Sequence, residues 1–451
     1  MTTAMTMESL LRLALREAEA HGASDAEVYA AASKESEVFI ENNDLKQAKT
    51  QKAGAVGIRV FLHGALGFYS INSLDPDRVR NAVYSAVKIA RASPRDKLNS
   101  LPEKVKKKIN RISGIYDKNA EAFEARDAAR LAAEMLKIAK SYDKRVSVDS
   151  GNFAATEMTH WLANTNGVLL SEKISVFSWS IMGMAIDGDD VSSFDVQSGC
   201  THHVNGIEVH NAASEFAHTV AGSLGAKKMT DSFKGDMLLT PAAAMEVVEE
   251  AVAHAINSDA VQKKSSMFAG KLGKRVGSRL LCLEDDATNA KGLAAASFDR
   301  EGVAHQKNII IENGVLKKFL YNTYTANKAG TKSTGNAYGS TSSPPSVATT
   351  NFVIRPGRSS LDGLVSEMKQ GVMISRFSGN VNSINGDFSG VVKGGWLIKN
   401  GELEHPVKEV MVAGNVFDCL RNLTGLSKER KVIGASILPY MRFGKVSFTA
   451  G

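Results

Sequence analysis

From about Ser265 onward the chain is cut into short alternating segments by asparagine–glycine pairs: Asn313-Gly314, Asn385-Gly386 and Asn400-Gly401. Such pairs favour the left-handed backbone angles of a tight reversal. Their recurrence between runs of period two marks short strands punctuated by glycine. It predicts a β-rich closing domain, barrel-like or sandwich-like.

Upstream the patterns mix. The periodicity predicts a helix from about Met7 to Ala20, stopped near His21-Gly22. The segments DAEVYAAAS, ESEVFIENN, DLKQAKTQ and GAVGIRVFLHGALGFYSIN then alternate as strands, with a hairpin at Leu62-His63-Gly64. A second helix is expected from about Asp77 to Arg91, ending before Ser93-Pro94. These elements predict a helix–sheet–helix domain over 1–94, followed by a basic linker over 95–114. A long helix from about Asn119 to Ser141 and long β-branched stretches, turned at Asn164 to Gly167, predict a middle antiparallel-sheet domain over 115–233. The C-terminal domain, 234–451, opens with a helix expected over 240–262. Thr240 is its N-cap and Pro241 its first residue. The fold class expected is α+β.

With 451 residues, 43% of them hydrophobic and 23% charged, the chain has the composition of a globular protein of several domains. No apolar run approaches the ~20 residues that cross a bilayer. The N-terminal stretch carries acidic residues within its apolar pattern and reads as a helix and not a signal peptide, so a cytoplasmic location is expected. Cys200, Cys282 and Cys419 are few and far apart and suggest neither a disulfide framework nor a thiolate knuckle. Of the net charge of +7, only KVKKKIN (Lys104 to Asn110) is concentrated, and no aromatic residues alternate with its lysines. That argues against a nucleic-acid surface.

The stretch with most chemistry is VVEEAVAHAINSD, Val247 to Asp259. A zinc-hydrolase helix presents two imidazoles to the metal and a glutamate to water. Here one imidazole, His254, follows Glu249 and Glu250. Glu250 and His254, four apart, share a face; Glu249 and His254, five apart, diverge by ~140° on a regular helix, so joint ligation needs a bulge. A catalytic zinc takes three protein ligands, and this helix supplies no third. From spacing alone a surface helix with a Glu250–His254 pair is the simpler reading. The histidines of THHVNGIEVH (His202, His203, His210), with His218 beyond, are no better placed, since neighbours on a strand point to opposite faces. Asp285, Asp286, Asp299 and Glu301 suit turns and caps more than a carboxylate site.

Several stretches together resemble the TldD/PmbA family, also called modulator of DNA gyrase proteins. They are SDAEVYAAAS and AVGIRVFLHGALGFYS near the start, and DAVQKKSSMFAGKLGKRVGS, EDDATNAKGLAAASFDREGVAHQKNIIIENGVLKKFLYNTYTANKAGTKSTGNAYG and VNSINGDFSGVVKGGWLIKNGELEHPVKEVMVAGNVFD later. The resemblance spans nearly the whole chain, least clearly the middle domain. It implies a cytoplasmic metalloprotease of two kinds of subunit. A TldD-like subunit carries a His-Glu-x-x-x-His helix and a later cysteine that hold zinc; a PmbA/TldE-type subunit keeps the fold without those ligands. Laid on this sequence, the helix motif puts Glu249 at the first histidine, Glu250 at the glutamate and His254 at the second histidine. The cysteine is expected in SKERKVIGASILPYM, which has none, and Cys419 lies too early. The resemblance therefore implies relic metal positions Glu249 and His254 and a relic catalytic position Glu250. It implies no cofactor in this chain and zinc in a TldD-like partner. The expectation is a non-catalytic partner in a heterodimer, with a homodimer conceivable in isolation, that helps a peptidase handle unfolded or small peptides. The alternatives are a self-sufficient metallopeptidase with a variant ligand set, and a non-enzymatic modulator that binds topoisomerase or DNA.

Overall fold

Strand β1 (Asp25–Glu41) decides the architecture of the first half. It runs 17 residues without a break, because no glycine or proline interrupts the alternation between Ser33 and Glu35 where two shorter strands were expected. On one side it pairs antiparallel with β2 (Asp44–Leu62), and on the other with β4 (Val146–Asn164), from Glu27 opposite Asn164 to Glu41 opposite Ser150. β3 (Ala65–Ile71) extends the sheet beyond β2, and β5 (Leu169–Asp187) beyond β4, followed by the strand Asp195–Thr201. Segments 1–94 and 115–233 thus share one continuous sheet instead of closing separately. The computed structural model describes residues 5–103 and 109–451.

The period-two rule places the layers. Even-numbered residues of β1 enter two apolar clusters on one face. Ala26, Val28 and Ala30 pack under helices α1 (Met7–Ala20) and α2 (Pro76–Ala92). Val38 and Ile40 pack under α3 (Ala125–Tyr142) and α4 (Val209–Gly222). α2 lies so close to β3 that a Cβ on Gly67 would meet the Ala86 carbonyl at 2.0 Å. Odd-numbered Glu27 and Tyr29 face the other way, onto the C-terminal half. The first sheet is a slab with helices on one face and the C-terminal domain on the other.

Both expected reversals of the first half are present: His63 and Gly64 carry positive φ between β2 and β3, and Gly167 N–H donates to the Asn164 carbonyl between β4 and β5. The 95–114 segment is not a solvated linker where it is described. Leu101 is buried, Asn99 bonds the Gly64 carbonyl, the Tyr324 hydroxyl donates to Asp96, and Ile112 N–H donates to Ser297. Apolar and turn residues within the basic composition dock it against both halves. Lys104 to Lys108 of the lysine cluster lie outside the described residues.

The C-terminal half is β-rich. Its central strand, Ser436–Ala450, pairs with Phe233–Leu239, Phe352–Ile354, Val410–Asn415 and Leu423–Ile433. Asn313-Gly314 and Asn400-Gly401 turn with both residues at positive φ, whereas at Asn385-Gly386 only the glycine does. Among the described residues no helix is long and apolar enough to cross a membrane.

Candidate functional site

The helix that carries Glu249, Glu250 and His254 starts as its sequence dictates. The Thr240 hydroxyl accepts the Ala243 N–H at 3.2 Å and Pro241 fills the first turn. It does not run unbroken to residue 262, contrary to expectation. An α-helical turn, Pro241–Ala244, widens into a π-helical turn, Met245–Glu249, then returns to α-helix over Glu250–Ile256. Asn257 breaks the helix with extended backbone, and a short helix Ser258–Gln262 follows. Two tertiary contacts account for these departures. Within the π turn, Glu246 is drawn to the Phe377 N–H and to Arg376 Nε. At the break, Leu320 N–H donates to the Ile256 carbonyl and Ser258 N–H to the Leu320 carbonyl, while the Asn257 side chain caps Asp259.

One face of this helix is core. Ala244, Val247, Val248, Ala251, Val252 and Ala255 lie in the large apolar cluster of the C-terminal domain. The remaining face carries the candidate residues, and they separate. The widened turn ends at Glu249 and regular helix resumes at Glu250, so by α-helical geometry the side chains of Glu249 and His254 leave the axis ~140° apart. Glu249 is half-buried, and its carboxylate accepts a hydrogen bond from the Ser436 hydroxyl at the head of the central strand. Burial pushes the Glu249 carboxyl above its ordinary range, against the pull of that hydroxyl. His254 turns to the loop after the helix: its Nε2 lies 3.2 Å from the Ser265 carbonyl and 3.3 Å from the Ser265 hydroxyl. Glu250 is exposed.

This donor set does not fit a zinc ion. Among the described residues no three His, Cys, Asp or Glu side chains converge as a metal site. Ser436, which sequence reasoning missed, belongs to the very stretch SKERKVIGASILPYM in which a thiolate was sought. A neutral hydroxyl there holds a carboxylate by hydrogen bonding and has none of a thiolate's affinity for a soft metal.

The other candidates are structural. His202 is buried between the carbonyls of Ser175 and Gly292, His203 reaches the Gly114 carbonyl, and His218 bonds the Tyr142 hydroxyl. His210 lies on α4 about two turns before His218. Asp285 binds Asn336 and the Thr350 N–H, and Asp286 caps Thr288. Asp299 accepts three backbone N–H groups, from Glu301, Val303 and Ala337. Burial raises the thiols of Cys200 and Cys419, the latter to about 12, which disfavours the thiolate that would bind a metal. Glu301 joins a buried ion network unforeseen from the sequence: Arg59 bonds Glu301 at 2.8 Å and Glu27 at 2.7 Å, and Arg300 bonds Glu27 at 2.7 Å.

Comparison with known proteins matches this frame along nearly its whole length. Family models described as PmbA/TldA metallopeptidase domain 1, central domain and C-terminal domain match residues 26–90, 118–258 and 232–450. The chain belongs to the PmbA/TldD family. An uncharacterised protein of Methanocaldococcus jannaschii is 29% identical over 440 residues, covering 96% of this chain and 98% of that one. The metalloprotease PmbA of Escherichia coli O157:H7 is 26% identical over 420 residues, covering 88% and 87%. The crystal structure of TldE from Thermococcus kodakarensis superposes with a TM-score of 0.89 at 23% identity over 98% of this chain and all of that one, which shows a shared fold. A putative modulator of a DNA gyrase from Thermotoga maritima superposes at 0.88 with 25% identity and the same coverage. This PmbA/TldD chain is α+β, as its sequence implied, and metalloprotease-like by family.

Proposed function

We propose that this chain is a PmbA/TldE-type subunit without hydrolytic chemistry of its own. It pairs in the cytoplasm with a TldD-like subunit that holds zinc and cleaves unfolded or small peptides. The observation that carries the reading is the divergence of Glu249 and His254, one tied to Ser436 and the other to Ser265. Without a Lewis acid to lower the pKa of water, exposed Glu250 has no nucleophile to activate. What the chain retains is the scaffold: a helix anchored in the core and long sheets whose edges can take an extended peptide through backbone hydrogen bonds that ignore sequence.

The test is metal and activity measured together. After dialysis against a mild chelator, the purified chain is expected to retain far less than one zinc per molecule and to leave an unfolded peptide intact. Mixed with a TldD-like subunit, it is expected to form a complex with peptidase activity that survives Glu250→Gln in this chain. One firmly held zinc per chain, with activity abolished by Glu250→Gln, would establish a self-sufficient peptidase in its place. Binding of duplex DNA at low salt, where counterion release favours it most, would support the modulator reading instead.

A further inference from the structure

A cavity of about 200 Å³ lies between the first sheet and the C-terminal domain. Tyr29, Met158, His160 and Ile174 form its sheet side, and the segments around 293–300 and 336–350 form the other. No residue of the Glu249–His254 helix lines it. Three of its lining residues carry a buried polar atom with no hydrogen-bond partner among the described residues: His160 Nδ1, Arg300 Nη2 and His305 Nδ1; the Thr350 hydroxyl, also on the lining, stands beside the Asp285 carboxylate. An orphaned buried polar group costs about 1–3 kcal/mol, so three around one cavity call for a partner, which a bound molecule or water in the cavity would supply. His160 and Arg300 are each only 5% exposed.

The chemistry of the lining narrows the occupant. Arg300 brings the positive charge; its Nη1 is engaged by Glu27 and its guanidinium lies over Tyr29 at 4.1 Å. The neighbouring carboxyl, Asp299, already serves three backbone N–H groups. A guanidinium with a free N–H, beside hydroxyl and imidazole hydrogen-bonding groups, is matched by a carboxylate. Met158, Ile174, Leu293, Phe298 and a run of alanines supply an apolar wall. The volume falls below the roughly 300–1,000 Å³ of pockets that take drug-sized ligands, so the apolar body must be short.

We propose that this cavity binds a small carboxylate, of the size of an amino acid or dipeptide, with Arg300 as its anchor and His160, His305 and Thr350 as hydrogen-bonding neighbours after small side-chain rotations. Because it shares no residue with the Glu249–His254 helix, the site stands whether or not this chain lacks hydrolytic chemistry. Calorimetric titration of the full chain with Ala-Ala, its C-terminal amide and acetate tests it. Ala-Ala is expected to bind saturably at up to millimolar concentration, with the amide about tenfold weaker for want of the charge. In nuclear magnetic resonance spectra the imidazole signals of His160 and His305 are expected to shift on titration, while those of His202 and His218 stay. His160→Phe should weaken Ala-Ala binding several-fold yet leave the unfolding midpoint at neutral pH unchanged or raised, since it removes an orphan. A cavity that holds only water gives no saturable heat and no selective shift, and that result overturns the proposal. Equal binding of the amide overturns the carboxylate assignment.

Discussion

Replacing Arg59 with methionine tests how the first sheet is fixed to the C-terminal domain. Arg59 is 7% exposed and bonds two carboxylates, Glu27 and Glu301, that are 0% and 1% exposed. Methionine preserves most of the buried stem but removes both bonds. Glu27 keeps Arg300 as its counter-ion; among the described residues Glu301 keeps only the Thr323 N–H at 2.8 Å. Two charge-assisted hydrogen bonds at about 1.5–3 kcal/mol each agree with the loss of about 3–5 kcal/mol when one partner of a buried pair is removed. Most of that loss is the stranded Glu301 charge, so Arg59→Met with Glu301→Gln should recover a substantial part. Urea unfolding read by tryptophan fluorescence measures both variants. Trp161 and Trp179 report on the first sheet and Trp396 on the C-terminal sheet, so single-tryptophan versions separate the halves. A loss below about 1 kcal/mol, or a double variant no better than the single one, would refute the reasoning.

Burial, with Arg300 nearby, lowers the His160 pKa from 6.5 to about 4, so the folded chain holds it neutral while the unfolded chain takes up a proton between those values. Its contribution to stability is complete above pH 6.5 and is lost as pH falls toward 4, by up to about 1.4 kcal/mol per unit. Asp195 and Asp285, raised by burial to about 6, act in the opposite sense below that pH. The parent's profile is therefore expected to be shallow, and only the difference between parent and His160→Phe should show the slope; parallel curves would count against it. Ser436→Ala is expected to cost about 1 kcal/mol at neutral pH, because Glu249 loses its hydroxyl partner, and less in acid where the carboxyl is protonated; equilibrium unfolding at two pH values checks this. Gly67→Ala is expected to cost about 1–3 kcal/mol or more, since the added carbon meets the backbone of α2; a variant with an unchanged thermal midpoint would show that α2 can slide.

Local signals were read correctly where local chemistry decides the outcome. Thr240-Pro241 starts its helix, and Asn313-Gly314 and Asn400-Gly401 reverse the chain as their residue types require. Distant partners decided the rest. That β1 pairs with β4 joins residues more than a hundred positions apart and leaves no trace in alternation, which marks a face but not a neighbour. The π turn depends on Arg376 and Phe377, and the break at Asn257 on Leu320; neither is visible inside VVEEAVAHAINSD. Within the candidate site the sequence singled out Glu249, Glu250 and His254, but the Ser436 hydroxyl on Glu249 needed the three-dimensional arrangement. Glu27 and Arg59 each interrupt an apolar alternation, and nothing in that alternation signals an ion network. They are buried against charges from around residue 300.

Because β1 is hydrogen-bonded along both its edges, the first ninety residues are not a detachable module. A fragment cut after α2 would leave one flank of β1 bare over 15 residues, from Glu27 to Glu41, an open template for intermolecular strand pairing. Dissection of this chain should therefore keep everything through α4 (Val209–Gly222) on one polypeptide, and shorter N-terminal pieces should precipitate.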